Sequence, residues 1–151
     1  MITYKTNASV TPEWALQKVQ CALRQGQIDE AVDHFSDQFI YSDHGLGLEF
    51  TDKGRLTEFF QKTRELYPDS LVLMETIFQS GDHVIGEWTL RATLTESFLF
   101  NGQPLKVAIS LRGASVVRIE GGKITRWSDY YDGLKARRQA LAGFFNGWVE
   151  L

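Results

Sequence analysis

Two aspartates, Asp43 and Asp129, are the residues of this sequence best placed for acid–base chemistry, because each lies on a predicted strand beside aromatic residues. If both side chains point into one apolar cavity, burial and like charge raise the pKa of at least one of them above the reference value of about 3.9. One carboxylate could then act as a base while the other is protonated and donates a hydrogen bond. Tyr41 shares a strand face with Asp43 and would orient a water molecule or a ligand oxygen.

The same two aspartates also have a purely structural interpretation. Asp129 could accept hydrogen bonds from backbone amides or from an arginine such as Arg112 on the neighbouring strand. Asp43 could simply begin the loop that follows its strand. The sequence leaves both interpretations open.

Four further residues are predicted to contact a ligand. Strand alternation places Trp127 and Tyr131 on the same face as Asp129. Trp88 lies on another predicted strand and could line either a pocket or the core. His44 lies in a glycine-rich loop at the expected pocket rim, where it could shuttle protons near neutral pH, although a solvent-exposed loop histidine is more common.

The composition excludes several classes of function. The 151 residues include 16 Lys and Arg against 19 Asp and Glu, which gives no basic surface for nucleic acid or an anionic membrane. The three histidines lack the spacing of metal ligands, and the single cysteine excludes an internal disulfide. No apolar run approaches the roughly 18 residues of a membrane span. We therefore expect a cytoplasmic protein that uses neither a metal nor another cofactor.

Hydrophobic periodicity predicts helices in the first part of the chain and strands in the second. The predicted helices span about 11–26, 28–35 and 51–66, and a last one spans 134–145. The predicted strands span about 39–43, 71–79, 84–95, 105–119 and 123–131. Turn sequences such as Asn101-Gly102 make the last four strands an antiparallel meander.

These elements predict one α+β domain over 1–151, with residues 1–10 as an arm. A curled, cone-like antiparallel sheet would pack on three helices from the first half of the chain and on the C-terminal helix. The open end of the cone is the predicted pocket for a hydrophobic small molecule. Apolar residues on both faces of one strand, such as Leu111 and Val116, predict a homodimer through the outer sheet face.

The order of elements and the segment 121–132 resemble the SnoaL-like branch of the nuclear-transport-factor-2-like superfamily, whose architecture is cystatin-like. The segment contains the motif G-K-I-x-x-W-x-D-Y-(F/Y)-D, which is fairly specific for this branch. The resemblance covers about residues 12–135, and limonene epoxide hydrolases and ketosteroid isomerases are its cousins. It implies the fold but no single activity, because the superfamily contains hydrolases, isomerases, cyclases and non-catalytic binding modules.

The resemblance also assigns expected roles to individual residues. Asp129 falls where the epoxide hydrolases have an aspartate that helps to position the attacking water, and Tyr41 falls on their water-binding tyrosine. Asp43 falls on their water-binding asparagine and on the general-base aspartate of the isomerases. The Arg-x-Asp pair of the hydrolases falls near Trp88 and Leu90, which lack the needed chemistry.

The oxyanion-binding tyrosine of the isomerases falls near Val19 and their second oxyanion acid near Ala114, so neither catalytic set is complete. Two functions remain open. One is a cofactor-free isomerase, cyclase or hydrolase that acts on a hydrophobic small molecule through Asp43, Asp129 and Tyr41. The other is a non-catalytic module of the same fold for ligand binding or dimerisation. Carboxylates that face one cavity favour the first, and divergent side chains favour the second.

Overall fold

The computed structural model describes residues 12–100 and 103–139. The predicted arm over 1–10, the turn at Asn101-Gly102 and the last part of the predicted C-terminal helix lie outside the described residues. The helices are α1 (Pro12–Gln25), α2 (Ile28–Asp33) and α3 (Lys53–Leu66), followed by a fourth, α4, of which residues 133–139 are described. The strands are β1 (Phe35–Asp43), β2 (Leu48–Phe50), β3 (Leu71–Ser80), β4 (His83–Phe100), β5 (Gln103–Glu120) and β6 (Lys123–Tyr131).

The predicted α+β class is confirmed, with helices packed on one six-stranded, curled and unclosed sheet in the order β2-β1-β6-β5-β4-β3. The predicted meander is present, because β3, β4, β5 and β6 pair antiparallel in sequence order. The sheet is not antiparallel throughout, however. Strand β1 lies beside β6 in parallel, with Asp43 in register with Asp129.

The structure differs from the sequence prediction at strands β1 and β2. The predicted second helix ends at Asp33, and Phe35 already belongs to β1, where it pairs with Ile124 of β6. Phe35 is fully buried, so sheet pairing and burial outweigh the helical spacing of its neighbours. Strand β2 was not predicted, because three residues between two polar turns carry too short a pattern to detect.

Two apolar clusters cover the inner face of the sheet, the face that packs on the helices. The first joins α1, α2 and α3 to the sheet, and its fully enclosed members include Leu16, Leu56 and Trp127. The second consists of Leu94, Val107, Ile109 and Leu111, with Tyr67, Leu90, Tyr131 and Ala136 against it. Burying these side chains supplies the main driving force for the packing of helices on sheet.

A few polar residues on the inner face of the sheet lie between the two clusters. Along β5 the inner-facing residues run from Val117, in the first cluster, through Ser115 and Gly113 to Leu111, in the second. Ser115 is opposite Asp129 on β6, which in turn lies beside Asp43 on β1. The fold thus gathers its polar inner-face residues between two apolar layers.

Helix α4 closes the part of β5 that extends past the end of β6. The side-chain amide of Gln139 accepts a hydrogen bond from the backbone N–H of Ser110 and donates one to its carbonyl, both at 2.9 Å. A side chain here takes the place of a neighbouring strand and satisfies a free sheet edge. Ala136, one turn earlier, packs on the second apolar cluster.

We predict that Gly113→Ala lowers the free energy of unfolding by about 1–3 kcal/mol, because a methyl group there overpacks the sheet. A Cβ at Gly113 would lie 2.4 Å from the Trp88 ring and 2.6 Å from the carbonyl oxygen of Tyr130. Urea unfolding measures the change. Gly54→Ala, in the first turn of α3, is the control: its Cβ would lie 3.1 Å from the exposed Asp52 carboxylate, which can shift, so the effect should be within about 1 kcal/mol. Equal effects of the two substitutions would contradict the close packing of Trp88 on β5.

Candidate functional site

The parallel pairing of β1 with β6 places the two predicted carboxylates side by side. Asp43 is in register with Asp129, and Tyr41 is in register with Trp127 two residues earlier. Residues in register on adjacent parallel strands point to the same face, so all four side chains share the inner face of the sheet. These elements bring the three predicted catalytic residues, Asp43, Asp129 and Tyr41, into one cluster.

Asp129 is the centre of this cluster and accepts three hydrogen bonds. Its Oδ1 accepts from the Ser115 hydroxyl at 2.5 Å and from the Trp127 indole N–H at 2.7 Å. Its Oδ2 accepts from the Tyr41 hydroxyl at 2.6 Å. All three donors are neutral, so the carboxylate is oriented without a cation.

Opposing effects act on the pKa of Asp129, and the net change is upward. Removal of the carboxyl group from water is the largest effect and raises its pKa. The hydrogen bonds from Ser115, Tyr41 and Trp127 lower the pKa, and the negative charge of Asp43 raises it. Asp129 nevertheless keeps part of its surface accessible. Such a group can exchange a proton with a bound molecule.

Asp43 is buried and holds the start of the loop after β1. Its Oδ1 accepts a hydrogen bond from the backbone N–H of Leu46 at 2.8 Å, and its Oδ2 accepts one from the Tyr131 hydroxyl at 3.1 Å. The first bond closes the turn, as expected for an aspartate that begins a loop. Burial and the charge of Asp43 raise the pKa of Tyr131, so this phenol stays protonated. Asp43 therefore stabilises the loop after β1 and also lies beside Asp129.

The loop after β1 lies directly on Tyr131. A Cβ at Gly45 would fall 2.2 Å from the Tyr131 ring, so only glycine permits this contact. The start of α4 touches the same loop, because a Cβ at Gly133 would meet the carbonyl oxygen of Gly45. Tyr131 is thus fixed between this loop, the Asp43 carboxylate and the second apolar cluster.

The predicted ligand-contact residues Trp88 and Trp127 both lie on the inner face and reach Asp129. Trp127 belongs to the first apolar cluster and contacts Asp129 directly. The Trp88 indole N–H donates to the Ser115 hydroxyl at 2.9 Å, and its ring lies 6.0 Å from that of Tyr131. Trp127 thus donates to the carboxylate directly, and Trp88 is linked to it through Ser115.

Sequence reasoning missed Ser115, which is fully buried and links Trp88 to Asp129. An antiparallel register counted back from the turn Glu120-Gly121-Gly122 would set Ser115 opposite Ser128. A bulge between Arg118 and Ile119 shifts the register by one residue and places Ser115 opposite Asp129 instead. A lone serine in a long apolar strand carries no chemical signature by itself, and the bulge leaves no clear mark in the sequence.

His44 does not join the carboxylates. Its ring is exposed and stacks on Tyr130 with a centroid separation of 4.4 Å. Tyr130 alternates with Asp129 along β6 and therefore points to the outer face. Only the backbone of His44 approaches the site, where its N–H donates to the Asp129 carbonyl at 2.9 Å. The predicted proton shuttle is thus placed on the opposite side of the sheet, because the side chain that follows Asp43 alternates to the outer face.

Arg112, considered as a partner for Asp129, instead pairs with Glu75 at 2.8 Å on the outer face. Among the residues that the structure describes, none of the ion pairs includes Asp43 or Asp129. Within the same residues no group of His, Cys, Asp or Glu is arranged to hold a metal ion. The described helices include none with the length and apolar character needed to cross a membrane.

A cavity of about 810 Å³ lies away from the carboxylates, along the hairpin of β4 and β5. Its lining includes Asp69, Arg91, Lys106, Ile109 and Gln139. It contains neither of the predicted catalytic aspartates. The carboxylate cluster and this cavity are therefore separate features of the molecule.

The family comparison agrees with this arrangement of elements. A family model described as a SnoaL-like domain matches residues 17–127. The chain belongs to the SnoaL-like domain family. The match includes Tyr41, Asp43 and Ser115 and ends at Trp127, two residues before Asp129. A search of curated proteins gives no significant match.

Solved structures with low sequence identity share the fold. A Catenulispora acidiphila protein with a ketosteroid isomerase-like fold, in complex with trimethylamine, has 20% identity and a TM-score of 0.72 over 85% of this chain and 92% of its own. A proposed SnoaL-like polyketide cyclase from Shewanella denitrificans has 13% identity and a TM-score of 0.74, over 87% and 97%. TerC, co-crystallised with polyporic acid, has 15% identity and a TM-score of 0.68, over 85% and 96%.

The raised pKa of Asp129 predicts how stability depends on pH. The folded state binds this proton more tightly than the unfolded chain, so the stabilisation is complete below the unfolded pKa of about 4 and is lost as pH rises through the folded pKa. Asp129→Asn cannot ionise. We expect urea unfolding to show the variant gaining stability relative to the wild type between pH 4 and pH 7, by about 1.4 kcal/mol for each unit of raised pKa. A relative loss over that interval would contradict a raised pKa.

Proposed function

We propose that this SnoaL-like protein acts on a hydrophobic small molecule by acid–base chemistry without a cofactor, with Asp129 as the group that exchanges the proton. The observation that carries the proposal is a partly buried carboxylate held by three neutral donors beside a second carboxylate. A carboxylate in such surroundings has a raised pKa and a fixed orientation, the two properties that a general base requires.

The reaction class follows from what these residues can transfer. Ionised Asp129 takes a proton from a carbon beside a carbonyl group, or from water, and returns it at another atom. The carboxylate is then regenerated, and no oxidant or reductant is needed. The pKa of Tyr41 lies well above its usual value because of burial and the nearby Asp129. Its hydroxyl therefore stays protonated as a hydrogen-bond donor. Isomerisation, ring closure and ring opening by water all fit this chemistry.

The charges of the site favour a neutral or cationic ligand over an anion. The carboxylates of Asp43 and Asp129 lie side by side on adjacent strands, and no described lysine or arginine forms an ion pair with either. An anionic group placed there would meet like charges at low dielectric. Trp88 and Tyr131 add aromatic surface for an apolar body. The trimethylamine and polyporic acid complexes of related folds support a small organic molecule as ligand.

A non-catalytic binding module is the second candidate. It is favoured by the bonds of Asp43, both of whose oxygens already hold the loop and Tyr131. It is also favoured by the resemblance to the epoxide hydrolases, whose Arg-x-Asp pair would fall near Trp88 and Leu90 of this chain. The two candidates differ in whether a bound ligand is turned over.

We also propose that the protein forms a homodimer through the outer face of its sheet. Phe78 of β3, Ile85 of β4 and Val116 of β5 lie side by side on that face. The exposed fraction of Phe78 is 60% and that of Ile85 is 42%, which leaves adjacent apolar surface in contact with water. A second copy of the same face would cover it about a two-fold axis.

For the catalytic function, we predict that Asp129→Asn lowers turnover by at least about a hundredfold, because proton transfer by a positioned base contributes about 10²–10⁴-fold. The asparagine oxygen still accepts from Ser115 and Trp127, and its amide can donate to the Tyr41 oxygen, although the Tyr41 hydroxyl proton then loses its acceptor. Assays would use a panel of neutral hydrophobic ketones and epoxides, with Tyr130→Phe on the outer face as the control.

The pH profile of kcat supplies a second readout. A base must be ionised, so turnover should rise with pH through the raised pKa of Asp129. Turnover that Asp129→Asn leaves unchanged would exclude Asp129 as the base. Native mass spectrometry showing a bound molecule that is never converted would favour the binding module.

For assembly, we predict a dimer at micromolar concentration in sedimentation velocity. Phe78→Glu should give a monomer, because it places a charge in the centre of the apolar surface. The control is Leu66→Glu at the end of α3, a side chain of similar exposure on another part of the molecule. A monomeric wild type would contradict the proposed interface, as would an equal effect of the two substitutions.

A further inference from the structure

The hydrogen bonds around Ser115 have only one possible direction. The indole nitrogen of Trp88 is a donor only, so its N–H is given to the Ser115 oxygen at 2.9 Å. Ser115 is fully buried, and the other partner of its hydroxyl is the Asp129 Oδ1 at 2.5 Å. The Ser115 proton must therefore point at Oδ1. The two bonds form a chain of donors from Trp88 through Ser115 to Asp129, which we call the relay.

The two oxygens of Asp129 are consequently unequal. Oδ1 accepts from both Ser115 and Trp127, which occupies its two lone-pair directions. Among the described residues, Tyr41 alone donates to Oδ2, which leaves a second acceptor position there. A carboxylate with one saturated oxygen is held at a fixed angle and presents the other oxygen to a ligand.

We propose that Trp88 and Ser115 are positioning residues that hold Oδ1 of Asp129, so that Oδ2 is the oxygen that exchanges the proton. The assignment rests on the proposed function as far as proton exchange with a ligand is concerned. The relay itself rests on the hydrogen bonds and on the burial of Ser115 alone. In this role both residues act on the ligand indirectly, by orienting Asp129.

The packing around Trp88 leaves room for its indole ring beside β5. Gly113 is in register with Trp88, and its missing side chain leaves the space that the indole ring occupies. Gly86, in register with Ser115, leaves space that the side chains of Met74 and Leu16 occupy. Gly113 thus lets the bulky indole of Trp88 lie against β5.

The ionisable groups that face Asp129 come from two strands. Tyr41 and Asp43 lie on β1, and Tyr131 lies on β6. Burial and the nearby carboxylates raise the pKa of both tyrosines, so neither ionises in the acidic range. Asp43 is therefore the group whose ionisation must be separated from that of Asp129, and an Asp43→Asn background does so.

The test follows the indole N–H signals of Trp88 and Trp127 in the whole protein by ¹H–¹⁵N NMR between pH 3 and pH 8, with assignment by Trp→Phe variants. In the wild type, and in the Asp43→Asn background, both signals should shift with one shared midpoint, that of Asp129. In Asp129→Asn neither signal should shift at that midpoint. A Trp88 signal that does not follow Asp129 in the wild type would overturn the relay.

Ser115→Ala separates the two indoles. The Trp127 signal should still follow Asp129, with its midpoint raised by about one pKa unit because a donor to the ionised form is lost. The Trp88 signal should no longer shift at that midpoint. Ser110→Ala, an exposed serine on the same strand, is the matched control and should leave both signals as in the wild type. An unchanged midpoint in Ser115→Ala would refute the positioning role.

Trp88→Phe keeps an aromatic ring and serves if Ser115→Ala does not fold. It removes the first donor of the chain, so the Trp127 midpoint should rise by less than in Ser115→Ala. No change in that midpoint would again refute the relay. These signals need no substrate, so they decide the relay even if no turnover is found. Where turnover is found, Ser115→Ala should lower kcat and shift its acid limb upward with little change in KM.

Discussion

The parallel contact between β1 and β6 is the constraint on which the rest of the site depends. It places Asp43 beside Asp129 and Tyr41 beside Trp127, although these pairs are far apart in the chain. A shift of one residue in this register would turn one set of side chains to the outer face and separate the two carboxylates. At the other end of β1 the fully buried Phe35 pairs with Ile124, and the register shifts between Phe35 and Ile40 before the site is reached.

Enclosing two carboxylates in this position is unfavourable unless their charge is stabilised. The chain supplies five neutral donors: the hydroxyls of Tyr41, Ser115 and Tyr131, the Trp127 indole and the Leu46 amide. Neutral donors orient a carboxylate but offset its desolvation less than a cation does, so the pKa of Asp129 remains raised. The apolar clusters on both sides of these polar residues supply stability that offsets the cost of burying them.

The sequence predicted what depends on short-range pattern. The meander and the shared face of Trp127, Asp129 and Tyr131 follow from periodicity and turn residues, and the structure confirms the α+β fold. The pairing partner of β1 did not follow, because a parallel contact between distant segments leaves no local mark.

The same distinction explains what was missed at the site. Ser115 becomes significant only through its contacts with Trp88 and Asp129, which periodicity cannot reveal. His44 was expected at the rim because it follows Asp43, yet alternation along the chain turns its side chain to the opposite face from Asp43. Its stacking on Tyr130 is a property of the folded chain alone.

The central claim is that Asp43 and Asp129 form one electrostatically coupled, enclosed pair. Carboxyl-carbon NMR titration of both aspartates, assigned with their Asn variants, tests it most directly. The midpoint of Asp129 should lie above the ordinary aspartate value of about 3.9 and should fall when Asp43 is replaced by asparagine, because a like charge is removed. A midpoint at or below that value, unchanged by Asp43→Asn, would contradict the account.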